Sequence, residues 1–211
     1  MSLIRRPFRY RNDNVVFILI GLNVLVYLAE LVFRNLPIMQ YFSMIPLLVV
    51  RGGWVWQFAT YMFIHDPQTV SHLLFNMFAL FIFGRNVEQQ MGSREFLLYY
   101  LLTGILAGLF SFAAYLFTGH WTTALMGASG AIFAVQLAFA VFFPSSVIYI
   151  WGILPLRAPV MVLGFTALEV ILMVTGLGGN TAHITHLAGF AFGWLYFIIR
   201  FGINPWRALR R

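Results

Sequence analysis

Residues 124–143, ALMGASGAIFAVQLAFAVFF, form an uncharged run with a small, glycine-flanked serine near its head, Gly127-Ala128-Ser129-Gly130. Twenty residues of α-helix measure about 30 Å, the thickness of a bilayer's hydrocarbon core. A hydroxyl inside such a run has two explanations. Gly, Ala and Ser let transmembrane helices pack closely, and a lone Gly-x-Ser-Gly is a weak motif for chemistry. The rest of the chain decides between packing and catalysis.

The composition is that of a polytopic membrane protein: 61% hydrophobic and 9% charged, with a mean hydropathy of +0.86, against about 25% charged residues in ordinary soluble domains. All 13 basic residues are Arg and the net charge is +7. Arginines beside apolar runs fix membrane orientation, which excludes nucleic acid as the partner and leaves the lipid bilayer. With no cysteine, disulfides and thiolate catalysis are excluded. The run 15–33 is long enough to span, and no small-residue cleavage site follows it, so it is read as a retained helix rather than a signal peptide.

Hydropathy and breakers predict an all-α membrane protein of six transmembrane helices with both termini cytoplasmic. Residues 1–14 form a basic cytoplasmic tail, 15–203 the six-helix membrane domain and 204–211 a second basic tail. The expected spans are 15–33, 70–84, 96–117, 124–143, 160–174 and 182–201. Between the first two, residues 34–71 carry Pro37, Pro46, Gly52-Gly53 and the interfacial aromatics Trp54 and Trp56, and are expected on or partly in the outer leaflet. Residues 85–95 are expected as a polar inner loop, and 147–154, too short to span and bounded by Pro155 and Pro159, as an inner connection. This arrangement puts 11 of the 13 arginines inside, leaving only Arg34 and Arg51 outside. A bacterial-type cell membrane is the expected location, since no organellar presequence is visible.

The second, fourth and sixth spans all run inward, so depth is counted from their inner ends. Ser129 lies 15 residues before Pro144, His186 14 before Arg200 and His72 13 before Arg85, which is roughly 20 to 22 Å in each case. All three then lie about 10 Å below the outer surface. Asn76, one turn below His72, shares its face. Polar groups inside a bilayer are costly and turn towards the bundle interior or a wet cavity. Serine becomes a nucleophile when a base takes its proton, and histidine titrates near working pH. Acyl transfer also develops an oxyanion, for which the Asn76 amide, a His72 N–H and the Ser129 backbone N–H are candidate donors. A helix N-terminus at Ser129 adds positive potential.

His186 shares a face with Gly189 and Gly193, which would let another helix come close. His183 is offset from that stripe and nearer the outer surface, where a structural or water-bonded role is expected; His65 and His120 are expected in outer loops as solvent or interface residues. Neither the fourth nor the sixth span has a carboxylate. A Ser129/His186 dyad is therefore expected, with Glu30 and Glu169 protonated or bonded to neighbouring helices. His183 and His186 lack a clear third ligand, so no metal or other cofactor is expected. A small transporter would string polar groups through the depth of several helices, whereas here they cluster at one level.

These residues carry a family resemblance. His72-Leu73-Leu74-Phe75-Asn76, Gly84-Arg85-Asn86-Val87-Glu88, Gly127-Ala128-Ser129-Gly130 and His186-Leu187-Ala188-Gly189 with Gly193 resemble, in order, the motifs of rhomboid intramembrane serine proteases of the minimal six-span bacterial kind. The resemblance implies that Ser129 attacks a carbonyl in a single-span or polytopic membrane-protein substrate, that His186 is the base and that His72 and Asn76 stabilise the oxyanion. It implies an aromatic, Phe133, packing on the base, a membrane-embedded first loop in 34–71, and substrate access beside the fifth span, whose loop at 176–179 would let that helix tilt. Trp56-Gln57 departs from the family's frequent Trp-Arg. The family also contains inactive relatives lacking the Ser or His, both of which are present here; a catalytically silent rhomboid-like module that binds membrane proteins and a small polytopic transporter are the alternatives.

Overall fold

The computed structural model describes residues 5, 7–150, 152–176 and 180–210. Arg6 and Arg211, counted to the inside above, and residues 177–179 of the loop after the fifth span lie outside the described residues. The fold is mostly helical: α1 (Val15–Val32), α2 (Val70–Met91), α3 (Ser93–Thr118), α4 (Ser129–Phe142), α5 (Ala158–Thr175) and α6 (Asn180–Tyr196, continued by a π turn, Phe197–Phe201). Five of these are long and apolar enough to cross a membrane; α4, with 14 residues, is shorter, about 21 Å of helix.

α4 is the core. Ala131, Ala134, Val135, Leu137, Ala138 and Ala140 are all completely buried, as expected of a helix apolar all round and enclosed by its neighbours. It begins five residues later than hydropathy predicts. The reason is backbone, not polarity: Gly127 has φ +105°, outside the helical region, and donates its N–H to the Tyr61 carbonyl at 2.9 Å. Leu125 bridges Met44 in both directions at 2.9 and 3.0 Å. An extended segment can lie at this depth because its polar groups are paired with protein.

The second span also departs from expectation. It continues through a π turn (Leu80–Gly84) to Met91, so most of the predicted polar loop 85–95 is helix. Its polar residues have a task there: the Glu88 carboxylate accepts the N–H groups of Val15 at 2.6 Å and Val16 at 2.9 Å and the hydroxyl of Ser93. One buried carboxylate thus satisfies otherwise orphaned donors at the start of α1 and complements its dipole. Gly84 makes the approach possible, since a Cβ there would lie 3.2 Å from Val16 Cγ2.

The segment expected as an inner connection between α4 and α5 is a hairpin. Val147–Ile150 (β1) and Leu154–Arg157 (β2) form an antiparallel hairpin, with Val147 opposite Arg157 and Ile150 opposite Leu154, so the fold is not wholly α. Pro155 sits in β2 and Pro159 in the first turn of α5, where a missing N–H costs nothing.

Residues 34–71 fold into three short helices, Ile38–Phe42, Pro46–Gly52 and Gln57–Thr60, and a 3₁₀ turn, Tyr61–Phe63. Gln57, the departure from the family pattern, is fully buried. Its Oε1 accepts from Ile45 N–H at 3.0 Å and its Nε2 donates to Gln40 O at 2.9 Å, so a neutral amide closes this loop by satisfying backbone groups. Tyr61 ties it to α3 through a 2.7 Å bond to Gly104 O.

Candidate active site

Ser129 is the first residue of α4, and its Oγ lies 2.8 Å from Nε2 of His186 on α6. The helices come this close because glycines face each other: a Cβ on Gly189 would fall 1.9 Å from Gly130 O, and one on Gly193 would fall 3.0 Å from Ala134 Cβ. Phe133, one turn along α4 from the serine, stacks flat on the His186 ring at 4.5 Å and 6°, holding the imidazole's plane.

His72 and Asn76 converge on the turn just before the serine. A Cβ on Gly127 would meet His72 Nε2 at 2.9 Å and Asn76 Nδ2 at 3.7 Å, so glycine is required by both φ and space. Ser129, His186, His72 and Asn76 are thus brought to one level, with the N-terminus of α4 pointing its first N–H groups into the same space.

Two residues here have places that the sequence reading did not give them. His65, expected at a solvent or interface position, is completely buried. Its Nε2 lies 3.1 Å from Asn76 Nδ2, and its ring 5.2 Å from that of His72. Burial, and secondarily the His72 imidazole beside it, push its pKa down to about 4, so it stays neutral and its Nε2 lone pair accepts from the Asn76 amide, fixing which way that amide points. Glu30 accepts the His65 backbone N–H at 3.4 Å. His120 is exposed and bonds Thr118 Oγ1 at 2.9 Å.

Glu169, on α5, is bonded to a neighbouring helix through His183, and its other oxygen faces the candidate base. Its Oε1 lies 3.1 Å from His186 Nδ1, off the line of a straight N–H···O bond, while its Oε2 pairs with His183 Nδ1. A carboxylate on the Nδ1 side favours the tautomer that carries its proton there and leaves the Nε2 lone pair facing Ser129. A depth count would have found it. Glu169 lies six residues before the C-terminal end of α5, about 9 Å along the helix, which brings it beside His186.

A hydroxyl 2.8 Å from an imidazole nitrogen, at a helix N-terminus with further polar side chains beside it, is an arrangement suited to acyl transfer. Comparison with known proteins identifies the family: the family model described as Rhomboid domain matches residues 52–203, well over half of the chain. The chain belongs to the rhomboid family of intramembrane serine proteases. It is 29% identical over 194 residues to the rhomboid protease AarA of Providencia stuartii, covering 83% of this chain and 68% of that protein. It is 30% identical over 130 residues to the rhomboid protease GlpG of Haemophilus influenzae, covering 62% of this chain and 63% of that protein. With the rhomboid protease GluP of Bacillus subtilis it shares 40% identity over 86 residues, 41% of this chain and 15% of that protein. This rhomboid therefore spans less than two thirds of the length of GlpG and a small part of GluP.

Proposed function

We propose that this rhomboid hydrolyses a peptide bond in or near the transmembrane segment of membrane-protein substrates, with Ser129 as nucleophile and His186 as base. The observation that carries this reading is the 2.8 Å contact between Ser129 Oγ and His186 Nε2 on a ring held flat by Phe133. Ser129 Oγ attacks the scissile carbonyl carbon while its proton passes to Nε2. The oxyanion is received by the Ser129 backbone N–H, the Asn76 amide and His72. As the tetrahedral intermediate collapses, His186 returns the proton to the leaving amine, and a water activated the same way releases the acyl group.

Glu169 keeps the imidazole in the productive tautomer without touching substrate. α4, though short, is taken as a span as well, which makes six, with both termini cytoplasmic and the site opening towards the outer side. Access from lipid is supported by an apolar cavity of about 710 Å³ lined by Leu74, Phe75 and Phe78 of α2, Met161 and Phe165 of α5, and Gln136 of α4. Gln136 lies seven residues below Ser129, so a substrate helix seated there would lead its unwound end up to the serine.

The test is cleavage of a fluorescently labelled single-span protein in liposomes by wild type, Ser129→Ala and His186→Ala. Cleavage by wild type alone supports the assignment; unchanged cleavage by Ser129→Ala refutes it.

A further inference from the structure

Glu169, His183 and His186 have a property the proteolytic reading does not use. One ligand atom from each side chain lies within 4.8 Å of the other two. Two imidazoles at i and i+3 on α6 and a carboxylate from α5 form a His₂Glu set, a donor combination suited to zinc. The histidines alone lacked a third ligand in the sequence, and α5 supplies it. The site is enclosed yet reachable, with 10%, 16% and 14% side-chain exposure for His183, His186 and Glu169. Its hydrogen bonding is incomplete: His183 Nδ1 is bonded to Glu169 Oε2, but Nε2 of His183 is buried without a partner and Nδ1 of His186 faces the carboxylate without a straight bond to it. The Glu169 carboxylate, when ionised, supplies a negative charge that a divalent cation offsets.

We propose that Glu169, His183 and His186 form an inhibitory binding site for zinc. The inhibitory half of the proposal rests on the reading of His186 as the base; the binding half does not. A neutral imidazole has one lone pair and one N–H. When Nδ1 of His186 bonds to the metal, the ring proton moves to Nε2. That nitrogen then donates to Ser129 Oγ across the same 2.8 Å contact and has no lone pair to take the serine's proton. No atom need move far and no proton is lost, yet the nucleophile is no longer activated. Released from the metal, Nδ1 regains its proton opposite Glu169 and the base is restored. Mg²⁺ and Ca²⁺, which require mostly oxygen ligands, are poor fits.

The experiment has two arms, both with full-length protein purified through a tag without histidine. In the first, zinc binding to Ser129→Ala is measured by competition with a chromophoric chelator. The expected result is about one zinc per chain, with affinity weakened at least about tenfold by adding His183→Gln or Glu169→Gln, since each removes a ligand. In the second, wild-type cleavage in liposomes is measured with added Zn²⁺, Mg²⁺ or Ca²⁺. Zinc alone should inhibit, EDTA should reverse it, and His183→Gln should raise the zinc concentration for half-inhibition at least about tenfold relative to its own metal-free rate. Absence of stoichiometric zinc, or binding unaffected by both substitutions, overturns the site. Full cleavage by wild type at saturating zinc overturns its inhibitory role. Stoichiometric, variant-sensitive binding in a wild type that cleaves no substrate upholds the site and overturns the proteolytic reading.

Discussion

Gly189→Ala adds one methyl group at the closest approach of α4 and α6. The new Cβ would lie 1.9 Å from Gly130 O and 2.7 Å from Gly130 C. Backbone cannot yield like a side chain, so one helix must move by at least about 1.1 Å to restore a 3.0 Å approach. Gly130 adjoins Ser129, and His186 lies one turn from Gly189 on the same face, so the movement is delivered where the two functional atoms meet. If it runs along their axis, their 2.8 Å contact opens to about 3.9 Å, beyond hydrogen-bond reach. A displacement of this size costs on the order of 100-fold in rate, and the overpacking about 1 to 3 kcal/mol in stability. The assay is kcat/KM for a single-span substrate in liposomes, with the thermal midpoint measured alongside. Gly164→Ala on α5, where a Cβ meets nothing within 4 Å, is the control and should change neither. Gly189→Ala with kcat/KM within about twofold of wild type would refute the claim that this glycine contact sets the Ser129–His186 geometry.

Glu88→Ala leaves the buried N–H groups of Val15 and Val16 without their acceptor, so the thermal midpoint should fall by the equivalent of about 1 to 3 kcal/mol; an unchanged midpoint would show that α1 docks without this carboxylate. His65 titrates at about 4 in the folded protein against an ordinary 6.5. The unfolded chain binds more protons between those values, so this contribution is complete above pH 6.5 and lost as pH falls towards 4, up to about 3 kcal/mol. His65→Gln should therefore flatten the dependence of the thermal midpoint on pH between 6.5 and 4.5, and an equally steep loss in the variant would contradict the burial argument.

Position along each helix was legible in the sequence because hydropathy and arginine placement mark the ends of the apolar runs, and α2, α4 and α6 can all be counted from their C-terminal ends. That count brought Ser129, His186 and His72 together before any coordinates did. Glu169 escaped because it sits on α5, outside those three helices, and was weighed by chain neighbourhood instead of position along its helix. His65 escaped for a different reason: nothing in a loop's composition says that it folds inward to bond Asn76. The late start of α4 was hidden because residues 124–128 are as apolar as the helix they precede; their extended form follows from Gly127 and pairing with Met44 and Tyr61, which are distant in sequence. Residues 85–91 misled in the opposite sense. Their polarity looked like a solvated loop, but Glu88 is spent on the start of α1, a tertiary use that composition does not reveal.

The proposed hydrolysis depends most on an activated serine at the head of α4. A fluorophosphonate probe with peptide mapping by mass spectrometry reads that directly and needs no knowledge of the natural substrate. The prediction is a single covalent adduct at Ser129 in wild type, absent from Ser129→Ala and reduced at least about 100-fold in rate in a folded His186→Ala, because the hydroxyl is a poor nucleophile without its base. Labelling that maps to another residue, or proceeds at the wild-type rate in His186→Ala, would contradict it.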